Sequence, residues 1–144
     1  CIAIFILLII NDSIFFNSNA KDKFQKYGDM LEDDMINPFE GDAEAIALGY
    51  ERFNQRCSYC HGMRGIGAKG PPLTRGYYKI SGGTNINLYS TIASGLTING
   101  KPTQMGAFGA TISDDDIWKI IAYMRQEYKD RKAAGSEFKY GVYP

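Results

Sequence analysis

Three stretches of this 144-residue sequence carry apolar residues at helical spacing, and polar or glycine-rich segments separate them. Ile46, Gly49, Tyr50 and Phe53 form one stripe over residues 43–56, a segment that Gly41-Asp42 can cap at its start. A shorter helix is predicted over 85–94, with Leu88, Ile92 and Ala93 facing inward. The third begins at Ser113-Asp114-Asp115-Asp116. There a hydroxyl can cap the amides, and three carboxylates meet the positive end of the helix dipole. Ile117, Ile120, Ile121 and Met124 follow as its buried stripe, and Arg125 lies towards its end. Trp118 is read as core, and the three aspartates as capping groups and not a metal site.

The connections are long. Residues 62–83 hold seven glycines together with Pro71 and Pro72, and residues 95–109 hold four glycines, so both are read as loop. Helices joined by such loops fill a core poorly. The pattern therefore predicts an all-α fold whose interior is completed by a large buried cofactor.

The chain opens on Cys1-Ile-Ala-Ile-Phe-Ile-Leu-Leu-Ile-Ile10. That run is too short to span a bilayer, which takes roughly 20 apolar residues. It has the length of a signal-peptide apolar region, and Ser18-Asn19-Ala20 offers a cleavage site before Lys21. No initiator Met or basic segment precedes it, so the frame is expected to be incomplete at its 5′ end. Residues 1–20 are read as a signal peptide, against the alternatives of a buried strand or an uncleaved anchor. No stable membrane insertion is expected. Residues 21–41 are a polar, acidic extension with one short helix expected over 29–35, and 129–144 are a tail whose Phe138, Tyr140 and Tyr143 are expected to lie on the core.

Composition narrows the classes. At 44% apolar residues the chain can bury a core. A formal net charge of zero argues against a nucleic-acid binder held by bulk positive charge. The distribution is uneven, with three Lys against nine acids over 21–51 and seven bases with no acid over 52–113. Those bases read either as a basic rim that steers an acidic partner or as ordinary solvated surface. The acidic segment could also fold over them. Ten tyrosines are read as packing groups.

There is one histidine, so any imidazole chemistry belongs to His61. Export implies an oxidising compartment, where Cys57 and Cys60 must pair, bind a metal or be consumed covalently. They stand in Cys57-Ser58-Tyr59-Cys60-His61. Two thiols at this spacing can each add across a vinyl group of one porphyrin, with the adjacent imidazole under the iron. A structural zinc site needs four ligands, and only Cys57, Cys60 and His61 are present. A redox dithiol should follow a strand and open a helix, whereas this pair follows a predicted helix. A plain Cys57–Cys60 disulfide in a haem-free interaction module remains open on spacing alone.

The second axial position can be sought among five methionines. Met30 and Met35 lie in the acidic extension, Met63 is too near His61 to reach the opposite face, and Met124 belongs to a buried stripe. Met105 lies in the loop Gln104-Met105-Gly106-Ala107-Phe108-Gly109, which can carry a thioether over the distal face. Soft sulfur favours ferrous iron and raises the reduction potential.

Over residues 42–126 the chain resembles the small class I c-type cytochromes. Gly49 and Phe53 stand where that family packs its first helix on its last, and Tyr123 where the last helix supplies an aromatic partner. Gly70-Pro71-Pro72-Leu73 is similar to the family's Gly-Pro-x-Leu turn. The resemblance implies that the Pro71 carbonyl orients His61 through Nδ1 and leaves Nε2 for iron. Met105-Gly106-Ala107-Phe108-Gly109 is similar to Met-Pro-Ala-Phe-Gly, with Gly106 a departure that leaves the loop less rigid. The Gly-Pro-Pro-Leu loop and Asp116-Ile-Trp-Lys-Ile-Ile-Ala-Tyr123 resemble cytochromes that accept electrons from periplasmic quinoprotein alcohol dehydrogenases.

The expectation is an exported, periplasmic mono-haem cytochrome c, with its domain over 42–128 and no enzymatic activity of its own. Cys57 and Cys60 hold one haem c, His61 is the proximal and Met105 the distal ligand, and Pro71 orients His61. It carries single electrons between redox proteins, with a quinoprotein dehydrogenase as donor and another cytochrome or an oxidase as acceptor. The competing class is a haem-based gas sensor or small peroxidase with an open sixth site.

Overall fold

The computed structural model describes residues 35–136. Cys1, Met30, the leader over 1–20, most of the acidic extension and the tail aromatics lie outside the described residues. Met35, the last residue of the short helix expected over 29–35, carries no helix.

Helix α1 spans Ala43–Arg56 and starts where the sequence places its cap, with the Asp42 carboxylate accepting from the amides of Glu44 and Ala45. One turn of helix, α2, follows at Ser58–His61, then a 3-10 turn at Met63–Gly65. Helix α3 spans Asn85–Ser94 behind a Thr84 cap. Helix α4 spans Asp114–Ala133, with the Ser113 hydroxyl accepting from the Asp116 amide. It therefore continues through the first five residues of the segment read as tail.

The described residues are not wholly helical. Strands β1 (Thr97–Ile98) and β2 (Lys101–Pro102) form a two-stranded antiparallel ribbon in a stretch read as loop. Asn99 and Gly100 turn it with φ of +50° and +74°, the positive values that a two-residue hairpin requires. The Asn-Gly pair was the available signal.

The core lies where α1 and α4 cross. Phe53, Ile117, Ile120 and Ile121 have no exposed surface, and side chains of this kind contribute about 1.5–3 kcal/mol each on burial. Gly49 sits at the crossing, where a Cβ would come within 2.1 Å of the Lys119 carbonyl oxygen. Beside it the Phe53 and Tyr123 rings meet at 5.4 Å and 57°. The stripe expected on α1 is narrower than its sequence suggests: Phe53 and Gly49 are buried, but Tyr50 is 39% exposed and leans on Tyr123 at 5.2 Å. The stripe on α4 is wider, because Trp118, Ala122 and Tyr123 are buried as well. Trp118 stacks on Tyr89 of α3 at 4.7 Å, so that helix closes a second flank of α4. Leu88 and Ile92 of α3 are buried, with Ala93 half-buried.

Polar ties hold the ends. Asn37 donates to the Trp118 carbonyl at 2.8 Å, and Asn85 donates to the Met35 carbonyl at 2.8 Å. Arg125 reaches the Gly83 carbonyl and Asn85 Oδ1. Among the described residues no helix is long and apolar enough to cross a membrane.

Candidate functional site

Cys57 ends α1, its amide bonded to the Phe53 carbonyl, and its own carbonyl accepts from the amides of Cys60 (3.1 Å) and His61 (2.9 Å). This one turn sends His61 inward, where it is 8% exposed, and leaves Cys60 outward. Gly62 then reverses the chain at φ +74°, and a Cβ there would come within 2.4 Å of the Gly67 carbonyl oxygen. Gly67 in turn donates to the His61 carbonyl and Gly70 to the Cys60 carbonyl, both at 2.7 Å.

That loop delivers Pro71. Its carbonyl oxygen lies 2.8 Å from His61 Nδ1, and since a carbonyl can only accept, Nδ1 carries the proton. Nε2 then holds the free lone pair. Burial lowers the imidazole pKa and outweighs the opposite pull of the Pro71 carbonyl, so the ring favours its neutral form. Gly70 lets the backbone press against the ring, where a Cβ would stand 3.0 Å from Cε1.

His61 lines a cleft of about 530 Å³, within the roughly 300–1,000 Å³ of cofactor sites. Phe53, Leu73, Leu88, Ile92, Ile120 and Met124 make most of its wall apolar. Cys57, Pro71 and Met105 also line it, so it gathers four of the five residues singled out in the sequence. Cys60 is exposed and is not on its wall.

Met105 is placed by main-chain bonds. The Leu96 amide donates to its carbonyl at 2.9 Å, its own amide donates to the Thr103 hydroxyl at 3.1 Å, and Thr103 donates back to Leu96. Leu96 and Thr103 thus close the base of the ribbon beneath Met105. Sequence periodicity missed this framework because each partner is used through its backbone or a single hydroxyl.

The donor set fits a porphyrin. A large apolar cleft carries an imidazole nitrogen with a free lone pair and a thioether, with a thiol at its edge. The Cys57 and Cys60 thiols are free. Burial, then the Cys60 charge, pushes Cys57 up to about 11, opposite to the depressed value of a redox dithiol. Near the cleft, Tyr78 donates to the Leu73 carbonyl at 2.7 Å, and burial pushes its phenol up to about 12.

The bases over 52–113 divide. Arg75 and Lys79 line the cleft beside the exposed Tyr77 and Ile80. Arg52 pairs with Asp116 at 3.2 Å and Arg64 with Glu127 at 2.7 Å, while Lys69 lies over the Tyr59 ring. Of the seven bases, Arg75 and Lys79 are the two on the wall of the cleft. Thr74, 1% exposed, donates to the carbonyls of Arg64 and Gly65, a tie with no periodic signature in the sequence.

Residues 44–124 match the model of a family described as cytochrome c oxidase, cbb3-type, subunit III. The cbb3-type cytochrome c oxidase subunit CcoP of Azospirillum brasilense is 34% identical over 90 residues, covering 57% of this chain and 30% of that protein. Cytochrome c-L of Methylorubrum extorquens is 31% identical over 97 residues, covering 67% of this chain and 47% of that protein. The chain thus spans less than half the length of these curated relatives. Among solved structures, cytochrome cL from the marine methylotroph Methylophaga aminisulfidivorans superposes with a TM-score of 0.57 at 25% identity, covering 96% of this chain and 90% of that one.

Proposed function

We propose that this chain, which belongs to the cbb3-type cytochrome c oxidase subunit III family, works as a mono-haem cytochrome c that carries single electrons between redox proteins. One haem c is the cofactor. Bound, it supplies a one-electron ferric/ferrous couple. Cys57 and Cys60 would hold it by thioether bonds, each S–H adding across a vinyl group without loss of atoms. His61 would be the proximal ligand through Nε2, with Pro71 holding the ring through Nδ1, and Met105 would be the distal ligand. With the His61 imidazole and the Met105 thioether both committed to the iron, the chemistry supplied would be outer-sphere electron transfer, with no place for a substrate.

The observation that carries this reading is the apolar cleft with His61, proton-locked on Nδ1, and Met105 both on its wall. The domain is placed at 42–128 with its last helix carried on to Ala133, the leader over 1–20 directs export to the periplasm, and 21–41 and the residues after that helix flank the domain. The exposed Tyr77 and Ile80 with Arg75 and Lys79 form the mouth through which the electron passes to an acidic surface. The donor is a quinoprotein alcohol dehydrogenase and the acceptor another cytochrome or an oxidase. The likeness to cytochrome c-L supports this placement.

A second reading, a haem module within an oxidase assembly, is favoured by the likeness to CcoP. Purification of the native complex separates the two. The matches favour electron transfer over the haem sensor or small peroxidase. The ligand test is the sulfur–iron band at the red end of the ferric spectrum: present in wild type, absent in Met105→Ala. A band that survives the substitution removes Met105 from the iron.

A further inference from the structure

Glu127 is 7% exposed, yet it lies in the fourth turn of α4 and off the cleft. Two guanidiniums lie within ion-pair distance of its Oε1, neither in hydrogen-bond geometry: Arg131 at 2.8 Å, itself buried, and Arg64 at 2.7 Å, with a side chain 56% exposed. Arg64 stands three residues after His61. Its φ of +56° is left-handed, a conformation that a residue with a side chain adopts only under constraint.

The constraint has two sides. The Arg64 guanidinium is drawn to α4 by the charge of Glu127, and the Arg64 carbonyl accepts from the buried Thr74 hydroxyl at 2.9 Å. The neighbouring Gly65 carbonyl accepts from the Leu73 amide at 2.8 Å and from the Thr74 hydroxyl at 3.1 Å. The strand of loop that returns through Pro71 is thus tied at its far end to residues 64 and 65, and through Arg64 to the rigid core helix.

We infer that Arg64 and Glu127 are positioning residues for the His61 imidazole: their ion pair fixes the 61–74 loop on α4 and so holds the Pro71 carbonyl on Nδ1. This rests on reading His61 as the proximal ligand. A firm acceptor on Nδ1 fixes the orientation and basicity of a metal-bound imidazole, so a pair remote from the iron would set both.

The test uses ferrous holoprotein and the NMR-detected exchange of the His61 Nδ1 proton with solvent, alongside backbone amides. Arg64→Gly suits the left-handed backbone, removes an exposed side chain and leaves Glu127 paired with Arg131. It is expected to speed exchange of the ring proton and of the Gly67 and Gly70 amides at least about tenfold, with the amides over 117–124 unchanged, as for a local opening. Arg64→Lys keeps the charge and is expected to stay within about twofold of wild type. A common acceleration of loop and α4 amides would make the pair merely structural and overturn the inference. So would no acceleration, or equal acceleration in Arg64→Lys. If wild type shows no protected ring proton, the ligand reading fails and the inference falls with it.

Discussion

Replacing Gly49 by alanine sets two effects of opposite sign against each other. Alanine is favoured over glycine in a helix interior by about 1 kcal/mol, so propensity alone predicts a more stable protein. The added Cβ would stand 2.1 Å from the Lys119 oxygen, 2.5 Å from its carbon and 3.1 Å from the Ile120 nitrogen. All three are backbone atoms of α4, so no side chain can swing aside. Restoring a contact of about 3.4 Å means parting the helices by about 1.3 Å, across the interface that holds Phe53 against Tyr123. Overpacking of a tight core costs about 1–3 kcal/mol, and a rigid backbone clash belongs at the upper end. The net is about 2 kcal/mol of destabilisation, a fall in Tm of roughly 8–16 °C for a domain of this size. Thermal unfolding of the holoprotein reads it directly. An unchanged or higher Tm in Gly49→Ala would refute the close crossing of α1 and α4.

Other expectations follow from single contacts. The Tyr123 hydroxyl is buried with no hydrogen-bond partner among the described residues, so Tyr123→Phe should raise stability by about 1 kcal/mol, measured by denaturant titration. Ser113→Ala removes the cap on α4 and should cost about 1 kcal/mol in the same assay. A Cβ at Gly106 meets nothing within 4 Å, so Gly106→Ala should stabilise by about 0.4–1 kcal/mol through the unfolded chain. In haem-free protein, Cys57 titrating near 11 holds roughly two orders of magnitude less thiolate at pH 8 than an ordinary thiol, so alkylation followed by peptide mapping should label the exposed Cys60 first. Because the folded thiol titrates above the unfolded one, that protein should also lose stability as pH rises from about 9 to 11.

The helices and the cleft were legible in unequal measure. Local chemistry marked α1, α3 and α4, because Asp42 and Ser113 offer caps to the first and last and the apolar residues of all three repeat with the helical period, while the Thr84 cap on α3 emerges only from the structure. Cys57, His61 and Met105 were legible as chemistry, and the structure brings them to one cleft. The one-turn α2 was not foreseen, since four residues give no period. The ribbon was overlooked although Asn99-Gly100 announces it. Glu127 was invisible for a different reason: a carboxylate on a helix reads as solvated surface until Arg64, distant in sequence, is seen to meet it. The wider burial of α4 likewise follows from α1 and α3 covering two of its flanks, a fact of assembly and not of its own pattern.

The central claim is a single porphyrin joined to Cys57 and Cys60. Intact-mass measurement of the chain, purified from cells with a working haem-ligation machinery, tests it most directly. The account predicts the mass of the polypeptide plus one whole haem, with covalent attachment lost in the Cys57→Ser, Cys60→Ser double variant. A chain without added haem, whether with free thiols or two hydrogens lighter through a disulfide, would contradict it.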